Sequence, residues 1–364
     1  MINRNKNPVL LMAGEFWQGS SEFGLANGMR TLGWAVQEVN RCHFGVGVGR
    51  SLSMRIASRL FRKFSTRAYQ RKILDECLML RPQMLLTVKG SDLDRKLLKD
   101  VKAMGIKTVM YYPDLAFNHA EVHEDSFDLY DVFVTTKSFQ VPWLREHLKR
   151  SAIAYVPHGY VGETHAPIFK KITETDYTCD VRYAGNHSAY KQRWLQQLID
   201  LDPNIDLEVI GRRWREQSPG LLLPDVAIRG ELTGINYARE IQTAKINVAF
   251  HFGPTNSDWQ DLVSTRTFEI PACAGFMLHI DNDEIREFFI PGVDIDVFTT
   301  AEELHEKIKF YLARPDLREK MIARAYQKCV PAYSYARRAE QIMQAVEIAA
   351  DGASLVVDSG GAAV

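Results

Sequence analysis

Short apolar runs alternate with longer segments of mixed polarity along the first 160 residues of the chain. We predict a buried strand at each run, because the runs have strand length and are bounded by turn residues. The predicted strands are 8–14, 35–39, 83–88, 107–112, 131–136 and 153–158. The segments between them are long enough for crossover helices. This alternation predicts a parallel sheet covered on both faces.

The pattern breaks at "PHGYVGETHAP" (157–167), where proline, glycine and polar residues predict a linker between domains. Beyond it the alternation of strands and helices resumes. The further predicted strands are 179–185, 206–211, 225–230, 245–252 and 275–280. Residues 301–350 have a helical pattern, broken at "ARPD" and "VPAY".

Two domains of ordinary size are expected from 364 residues. We place the first domain at 1–160 and the second at 161–335, each a doubly wound α/β unit. A helix over 336–350 is expected to pack back on the first domain, and the weakly patterned residues 351–364 form a predicted disordered tail. In such folds ligands lie at the carboxyl ends of the strands, which indicates a ligand of the nucleotide type.

The charge balance excludes a global attraction to nucleic acid or membrane, since 45 basic residues match 45 acidic ones. The five cysteines form no C-x-x-C pair, which favours reduced thiols over a disulfide framework or a zinc site. No apolar run reaches the length of a membrane span. We therefore expect a cytoplasmic protein, with peripheral attachment to the inner membrane as an alternative.

Several strands of the second half end on glycine, notably at Gly185, which Asn186 follows, and at Gly211. Glycine lets a ligand approach the backbone, and the N–H groups at the start of the following helix favour an anion. We take these three residues as candidates for ligand binding. The alternative is a set of ordinary turns between strands and helices, since a single glycine turn is weak evidence.

Charged and aromatic side chains follow these turns. Lys191 and Arg193 add positive charge shortly after Asn186, although a basic helix face is often merely solvated. Tyr237, in a later helical segment, is a candidate for stacking on a base. Packing in the core is the alternative for that ring.

The stretch "STRTFEIPACAGFML" predicts a helix that begins near Ser264, a residue suited to the N-cap position. Arg266, Thr267 and Glu269 then fall in or near its first turn, and Asp261 stands eight residues before Glu269. Carboxylates suit vicinal hydroxyls and arginine suits phosphate. A diol and a diphosphate together describe a nucleotide sugar. The alternative is a solvated helix end.

The run from "RTFEIPAC" to "ARAYQKCV" resembles the C-terminal half of the CgeB-like glycosyltransferases, a group named for a spore-maturation protein. Their pattern contains R-x-F-E-I-P-A-C, a buried strand, an E-x-F-F-x-x-G segment and an E-E-L helix before a Pro-Asp helix. The segments "YAGN", "YYPD" and "PHG" fit the same group. The resemblance covers most of 179–330.

This resemblance implies a GT-B fold: two Rossmann-like doubly wound domains that face a cleft, followed by C-terminal helices. The domain at 161–335 would bind the nucleotide sugar, and the domain at 1–160 would face the acceptor. In related retaining enzymes an acid-x7-acid motif contacts the donor. Glu269 matches the second acid, which bonds the ribose hydroxyls, and Asp261 stands at the first, where glutamate is usual. Arg193 and Arg266 would correspond to the cations that brace the diphosphate.

We therefore expect a transferase that moves a hexose or related sugar from a nucleotide-diphosphate sugar to an unidentified acceptor. A glycan, a lipid-linked molecule, a protein and a small molecule all remain open as its class. Retention of the anomeric configuration follows from the resemblance alone. No D-x-D ends a strand, so we expect no metal, and we expect no other cofactor. The balanced charge also argues against a specific nucleic acid partner. A non-catalytic nucleotide-sugar-binding or assembly protein is the alternative. A Rossmann-type oxidoreductase is disfavoured because no G-x-G-x-x-G follows the first strand.

The first half offers candidate general bases should the reaction invert. Glu15 and Asp114 are carboxylates at the ends of predicted strands. His119, His123 and His158 are further candidates in loops, where a lone histidine is usually only a surface residue.

Residues 50–72 contain eight basic side chains and no acid, and Leu52, Ile56, Leu60 and Phe64 recur every four residues. This spacing predicts a basic amphipathic helix. Such a helix can make weak contact with an anionic membrane or bind an acidic acceptor. The alternative is a solvated face over a stripe of core residues.

Overall fold

The computed structural model describes residues 7–45, 52–149, 151–217, 227–254 and 259–350, without the side chains of 52–60. The chain divides into two compact units. Unit 1 combines Met1–Pro157 with Tyr335–Val364, and unit 2 is His158–Ser334. The predicted disordered tail lies outside the described residues. Among the described helices, none is long and apolar enough to cross a membrane.

Unit 1 contains a six-stranded parallel sheet in the order β2-β1-β3-β4-β5-β6. Its strands are β1 (Val9–Gly14), β2 (Ala35–Asn40), β3 (Met84–Val88), β4 (Lys107–Tyr112), β5 (Val132–Thr135) and β6 (Ala152–Tyr155). The helices are α1 (Ser21–Thr31), α2 (Leu52–Leu80), α3 (Arg95–Ala103) and α4 (Gln140–His147), with 3₁₀ turns at Arg41–Phe44 and Glu124–Leu129. All six predicted strands are confirmed.

The central strands of this sheet are continuous apolar runs because helices cover both faces. Leu10, Leu11 and Met12 of β1 are fully buried. The helices begin where polar caps allow: Ser20 Oγ accepts from Phe23 N at 3.1 Å and starts α1.

Unit 2 contains a second six-stranded parallel sheet, in the order β12-β11-β10-β7-β8-β9. Its strands are β7 (Cys179–Ala184), β8 (Leu207–Ile210), β9 (Ile228–Arg229), β10 (Ala244–Ala249), β11 (Met277–Ile280) and β12 (Asp296–Phe298). Its helices are α5 (Ala189–Leu201), α6 (Trp214–Gln217), α7 (Gly234–Gln242), α8 (Thr265–Ala272), α9 (Asp283–Phe288), α10 (Ala301–Leu312) and α11 (Pro315–Cys329). Apolar clusters cover the two faces of this sheet.

The edge strand β12 was missed by the sequence pattern. The motif "DID" (294–296) reads as a turn in the sequence, whereas in the structure Asp296 begins a strand that pairs with β11. Its three residues are too few to show alternation. The strand predicted at 225–230 is shorter in the structure: of its described residues, only the two of β9 form a strand.

Helix α12 (Tyr335–Ala350) completes unit 1, where it packs against α1. Two glycines of α1 permit the close approach. A Cβ at Gly24 would lie 2.7 Å from the ring of Tyr335, and one at Gly28 would lie 2.8 Å from Ala339 Cβ and 2.9 Å from Ala336 Cα. The two helices therefore meet almost backbone to backbone.

The long helix α2 buries Tyr69, Ile73 and Cys77 at four-residue spacing, but the stripe predicted to end at Phe64 is not part of the core at that position. Phe64 is 67% exposed and Phe61 is 53% exposed. The side chains of Leu52, Ile56 and Leu60 lie outside the described ones.

The order of strands reverses once in each sheet. In unit 1 the first strand, β1, lies between β2 and β3, and in unit 2 the first strand, β7, lies between β8 and β10. Connections from the two neighbouring strands leave in opposite directions at such a point, which opens a crevice at the carboxyl ends. The residues after β1 and β3, and those after β7 and β10, are therefore the natural positions for a site.

The packing of α1 on α12 yields a prediction. Gly28→Ala places a methyl group against the backbone of α12, so we expect the free energy of unfolding to fall by roughly 1–3 kcal/mol. This clash outweighs the helix propensity of alanine, worth about 1 kcal/mol over glycine. Denaturant unfolding measures the change. Gly45→Ala is the matched control, since its added methyl meets only one atom, at 3.8 Å; equal stabilities of the two variants would contradict the packing argument.

Candidate functional site

The crevice of unit 2 is bounded by the turn after β7. Trp214 Nε1 donates to Gly185 O at 2.7 Å, and the backbone N–H of Arg212 donates to Asn186 Oδ1 at 3.1 Å. A Cβ at Gly211 would lie 2.1 Å from Gly185 O, so no other residue fits there. The two predicted glycine turns thus come together at one edge of the sheet.

A lysine side chain lies buried behind this turn. Lys191, on α5, is only 1% exposed, and its Nζ donates to Asn186 O at 3.0 Å. The ammonium also stands 3.9 Å from the ring centroid of Phe252, which follows β10. Burial and, to a smaller extent, the charge of Arg266 lower the pKa of Lys191 to about 6, although Asp261 acts in the opposite direction. The free protein therefore holds this lysine largely neutral above pH 6.

A second cation approaches the same turn from α8. The guanidinium of Arg266 lies 5.8 Å from the ring centroid of Tyr183, and a Cβ at Gly185 would come within 2.8 Å of its Nη1. Its Nε is buried and has no hydrogen-bond partner among the described residues, and the same holds for Tyr183 Oη. Burial opposes the charge, but neighbouring groups, including Glu269 and Asp261, hold the pKa of Arg266 above its ordinary value. Buried donors without acceptors indicate a place for an anion.

Helix α8 begins at Thr265, as the sequence predicted. The backbone N–H of Ser264 donates to Thr267 Oγ1 at 3.1 Å, which fixes the first turn. Thr267, a predicted donor-binding residue, is fully buried, and its hydroxyl also contacts His279 Nε2 at 3.1 Å. The structure gives this side chain a role in positioning the helix.

Two histidines join the strands beneath α8. His279 Nδ1 lies 2.6 Å from Ile280 O, so this nitrogen carries the proton, and its Nε2 lies 2.9 Å from Nε2 of His251. Burial lowers the pKa of His279 to about 4. Hydrogen bonds through His251 and His279 therefore link the end of β10, strand β11 and the start of α8. The two histidines are 28 residues apart in the sequence, and no local motif marks them.

Each carboxylate oxygen of Glu269 lies near a buried polar side chain. Tyr237 Oη donates to Glu269 Oε2 at 2.9 Å, and His165 Nε2 lies 3.9 Å from Oε1. His165 in turn accepts from Val161 N at 3.1 Å, and burial lowers its pKa although Glu269 raises it. Glu269 as a whole is buried, with 8% of its surface exposed. The hydroxyl of Tyr237 therefore binds Glu269, the residue predicted to bind the ribose, whereas the sequence offered this ring as a candidate for stacking on the base.

The predicted cations differ in position. Arg193 lies on the exposed side of α5, with its guanidinium 5.7 Å from the ring centroid of Tyr190, whereas Lys191 occupies the buried side. The sequence showed both charges but not the phase of the helix. Asp261 is 6% exposed and interacts electrostatically with Lys191 and Arg266, which brings the predicted first acid to the same crevice.

The equivalent edge of unit 1 gathers charged residues after β1, β3 and β4. Glu15 pairs with Arg41 at 2.5 Å, and Arg41 also pairs with Asp92 at 2.6 Å. Asp114 pairs with Lys89 at 2.8 Å, and His119 Nε2 lies 3.2 Å from Asp114 Oδ2. Both predicted general bases are thus held by cations.

Glu22, in the first turn of α1, is a carboxyl group that the sequence pattern did not single out. It accepts from Glu15 N at 3.4 Å and lies so close to β1 that a Cβ at Gly14 would come within 2.7 Å of its Cγ. Burial raises the pKa of Glu22 to about 7. A carboxyl group that titrates near neutrality can accept and donate a proton. Across the ranges that the structure describes, no group of three His, Cys, Asp or Glu residues could hold a metal ion.

Comparison with known proteins extends this description. Residues 187–344 match the model of a glycosyl transferase-like family. No curated protein sequence matches the chain.

Similar solved structures span both units. Sucrose-phosphate synthase from Thermosynechococcus elongatus has a TM-score of 0.63 at 13% identity, over 96% of this chain and 100% of its own. A glycosyltransferase from Rickettsia africae has a TM-score of 0.63 at 14% identity, with the same coverage. Anabaena HepE in complex with UDP-glucose has a TM-score of 0.59 at 10% identity, over 93% of this chain and 99% of its own. The predicted α/β fold of the GT-B type is confirmed, and segment 187–344 is similar to glycosyltransferases.

Proposed function

We propose that the protein is a glycosyltransferase that takes its sugar from a nucleotide-diphosphate sugar bound in the crevice of unit 2. The observation that carries the proposal is the pair of buried cations, Lys191 and Arg266, beside the Gly185 turn. Burying two basic side chains side by side is costly, and burial already lowers the pKa of Lys191 to about 6, so an anion that binds beside them would stabilise the charged form of both. A diphosphate is an anion of suitable charge, and the similarity of segment 187–344 to glycosyltransferases supports the same ligand.

Each neighbouring group has a role in this proposal. Lys191 replaces Arg193 as the partner of Arg266 in bracing the diphosphate, because only the former is buried. Glu269 binds the ribose hydroxyls, with Tyr237 holding one carboxylate oxygen in place. Asp261 contacts the sugar of the donor.

The cations also account for the chemistry that the proposal requires. When the bond between the anomeric carbon and the phosphate oxygen breaks, negative charge grows on the nucleoside diphosphate. Lys191 and Arg266 stabilise that charge in a site of low dielectric constant, which is the work that a metal ion does elsewhere. We therefore propose that the reaction needs no metal ion. We also propose that it retains the anomeric configuration, on the basis of the CgeB-like resemblance. Should the acceptor need a base, the candidates are Glu15, Asp114 and Glu22.

The test is a thermal-shift screen against UDP, GDP, dTDP, CMP and their sugars, followed by donor hydrolysis or transfer with the best ligand. One nucleotide class should raise the unfolding midpoint, because it binds only the folded state. The sugar should then be released or transferred at the same rate in EDTA. Binding without turnover would favour the non-catalytic alternative. Loss of turnover in EDTA, with recovery on adding Mn²⁺ or Mg²⁺, would contradict metal independence.

Glu269 provides the sharpest test of the ribose contact. Glu269→Gln keeps the volume but loses the charge, so we expect the affinity for the nucleotide sugar to fall by roughly 1–3 kcal/mol in calorimetry. The matched control is Glu284→Gln, which alters a buried glutamate of α9. The 2′,3′-dideoxyribose form of the nucleotide offers no hydroxyl to this carboxylate, so it should bind wild-type and variant protein alike. A ribose-dependent preference that survives in Glu269→Gln would rule out this contact.

Lys191 predicts that donor binding takes up a proton. Its pKa is about 6 in the free protein, and a bound diphosphate raises it, so near pH 8 binding should consume about one proton. Calorimetry in buffers of different ionisation enthalpy measures this uptake. A nucleotide sugar is the right probe, since the terminal phosphate of a free nucleoside diphosphate titrates nearby.

The Lys191→Met variant should lose the proton uptake and bind more weakly, whereas Arg193→Met should retain both.

The same lysine predicts how the stability of the free protein depends on pH, with a sign opposite to that of a lysine in an ordinary ion pair. Unfolded lysine keeps its proton up to pH 10.5 while the folded one releases it above about 6. The free energy of unfolding should therefore rise with pH across that window, and Lys191→Met should flatten the rise. Proton uptake in the methionine variant equal to that of wild type would exclude Lys191 as its source.

A further inference from the structure

Helix α2 carries an outward face that the sheet of unit 1 does not cover. Phe61, Phe64, Leu78 and Met79 are 53%, 67%, 54% and 69% exposed, whereas the core-facing side of the helix is formed by Tyr69, Ile73 and Cys77. The rings of Phe61 and Phe64 contact each other, with centroids 6.4 Å apart. Residues 61 and 79 lie about 27 Å apart along a helix axis. Large apolar side chains thus extend along one exposed surface.

Positive charges border these apolar side chains. Lys63, Arg67 and Arg71 recur every four residues, so they form a single row beside the phenylalanines. In the part of the chain that the structure describes, none of the three forms an ion pair. The acids nearby do not neutralise the row: Glu76 is buried and pairs with Lys72, and Asp75 is a single charge.

A row of cations next to exposed aromatic and aliphatic side chains has a specific physical complement. An anionic bilayer offers negative charge at its surface and an apolar layer just beneath, so both kinds of side chain gain at once. A second copy of this face would bring like charges together. A nucleic acid would satisfy the cations but leave the aliphatic residues Leu78 and Met79 in water.

We propose that the outward face of α2, from Phe61 to Met79, binds the surface of an anionic membrane. The cations attract the headgroups, and the apolar side chains enter the boundary between headgroups and acyl chains. Lys63, Arg67 and Arg71 each strengthen such binding about five-fold, which is on the order of a hundred-fold together. The attraction reaches about 8 Å at physiological salt, so the face must lie on the bilayer. This inference is independent of the proposed transferase activity.

The experiment is co-sedimentation of the full chain with vesicles of phosphatidylcholine, with and without phosphatidylglycerol. Wild-type protein should bind only the anionic vesicles and should be released by salt. One variant, Lys63→Gln/Arg67→Gln/Arg71→Gln, removes the charges, and another, Phe61→Ser/Phe64→Ser, removes the rings. Each should lower the partition coefficient by at least ten-fold. All the substituted side chains are exposed, so the fold should persist, as circular dichroism can verify.

Two matched controls make the outcome specific to this face. Lys96→Gln/Lys309→Gln/Lys320→Gln removes the same charge from other exposed positions, and Ile290→Ser/Phe310→Ser removes exposed apolar side chains from unit 2. Both should bind vesicles like wild type. The proposal is overturned if wild-type protein ignores anionic vesicles at low salt, or if the controls lose as much binding as the α2 variants. Binding that depends on the cations but not on the rings, and that RNA competes for, would indicate a polyanion instead. Nucleotide-sugar binding by the α2 variants should stay at the wild-type level.

Discussion

The reversal of strand order beside the first strand of each sheet is the constraint on which the rest of the structure depends. Parallel strands need long crossover connections, and these connections are right-handed. A connection to the next strand on one side of β1 or β7 therefore lies on one face of the sheet, and a connection to the strand on the other side lies on the opposite face. In unit 2 this places the ends of β7, β8 and β10 side by side. Residues from distant parts of the chain are thereby brought together: Arg266 lies beside Gly185, and Phe252 lies beside Lys191.

Electrostatics at this point differ from those of an ordinary core. Lys191 and Arg266 lie in surroundings that penalise charge: burial lowers the pKa of Lys191 to about 6, whereas neighbouring groups that include Glu269 and Asp261 keep the pKa of Arg266 high. A protein selected for stability alone would place apolar residues of similar volume there.

The sequence was sufficient for most of the fold because buried parallel strands and capped helices carry local signals. All six strands of unit 1 and the start of α8 at Thr265 followed from such signals. The short strand β12 did not, because three residues show no period. For the site, the glycine turns and the acids of α8 were recognisable, yet the choice between Lys191 and Arg193 was not. The two side chains lie about 160° apart around the axis of α5, so the choice depends on which face of the helix packs against the sheet. The interactions of Tyr237 and His279 connect distant segments and have no local signature.

The path of the chain through unit 1 has a consequence for its synthesis. Helix α12 is separated from the rest of unit 1 by the whole of unit 2, and Gly24 and Gly28 are shaped to receive it. A ribosome therefore releases the complete sequence of unit 2 before unit 1 can cover the glycine face of α1. Until then that face stays exposed, so the N-terminal unit, although made first, is the last to finish folding.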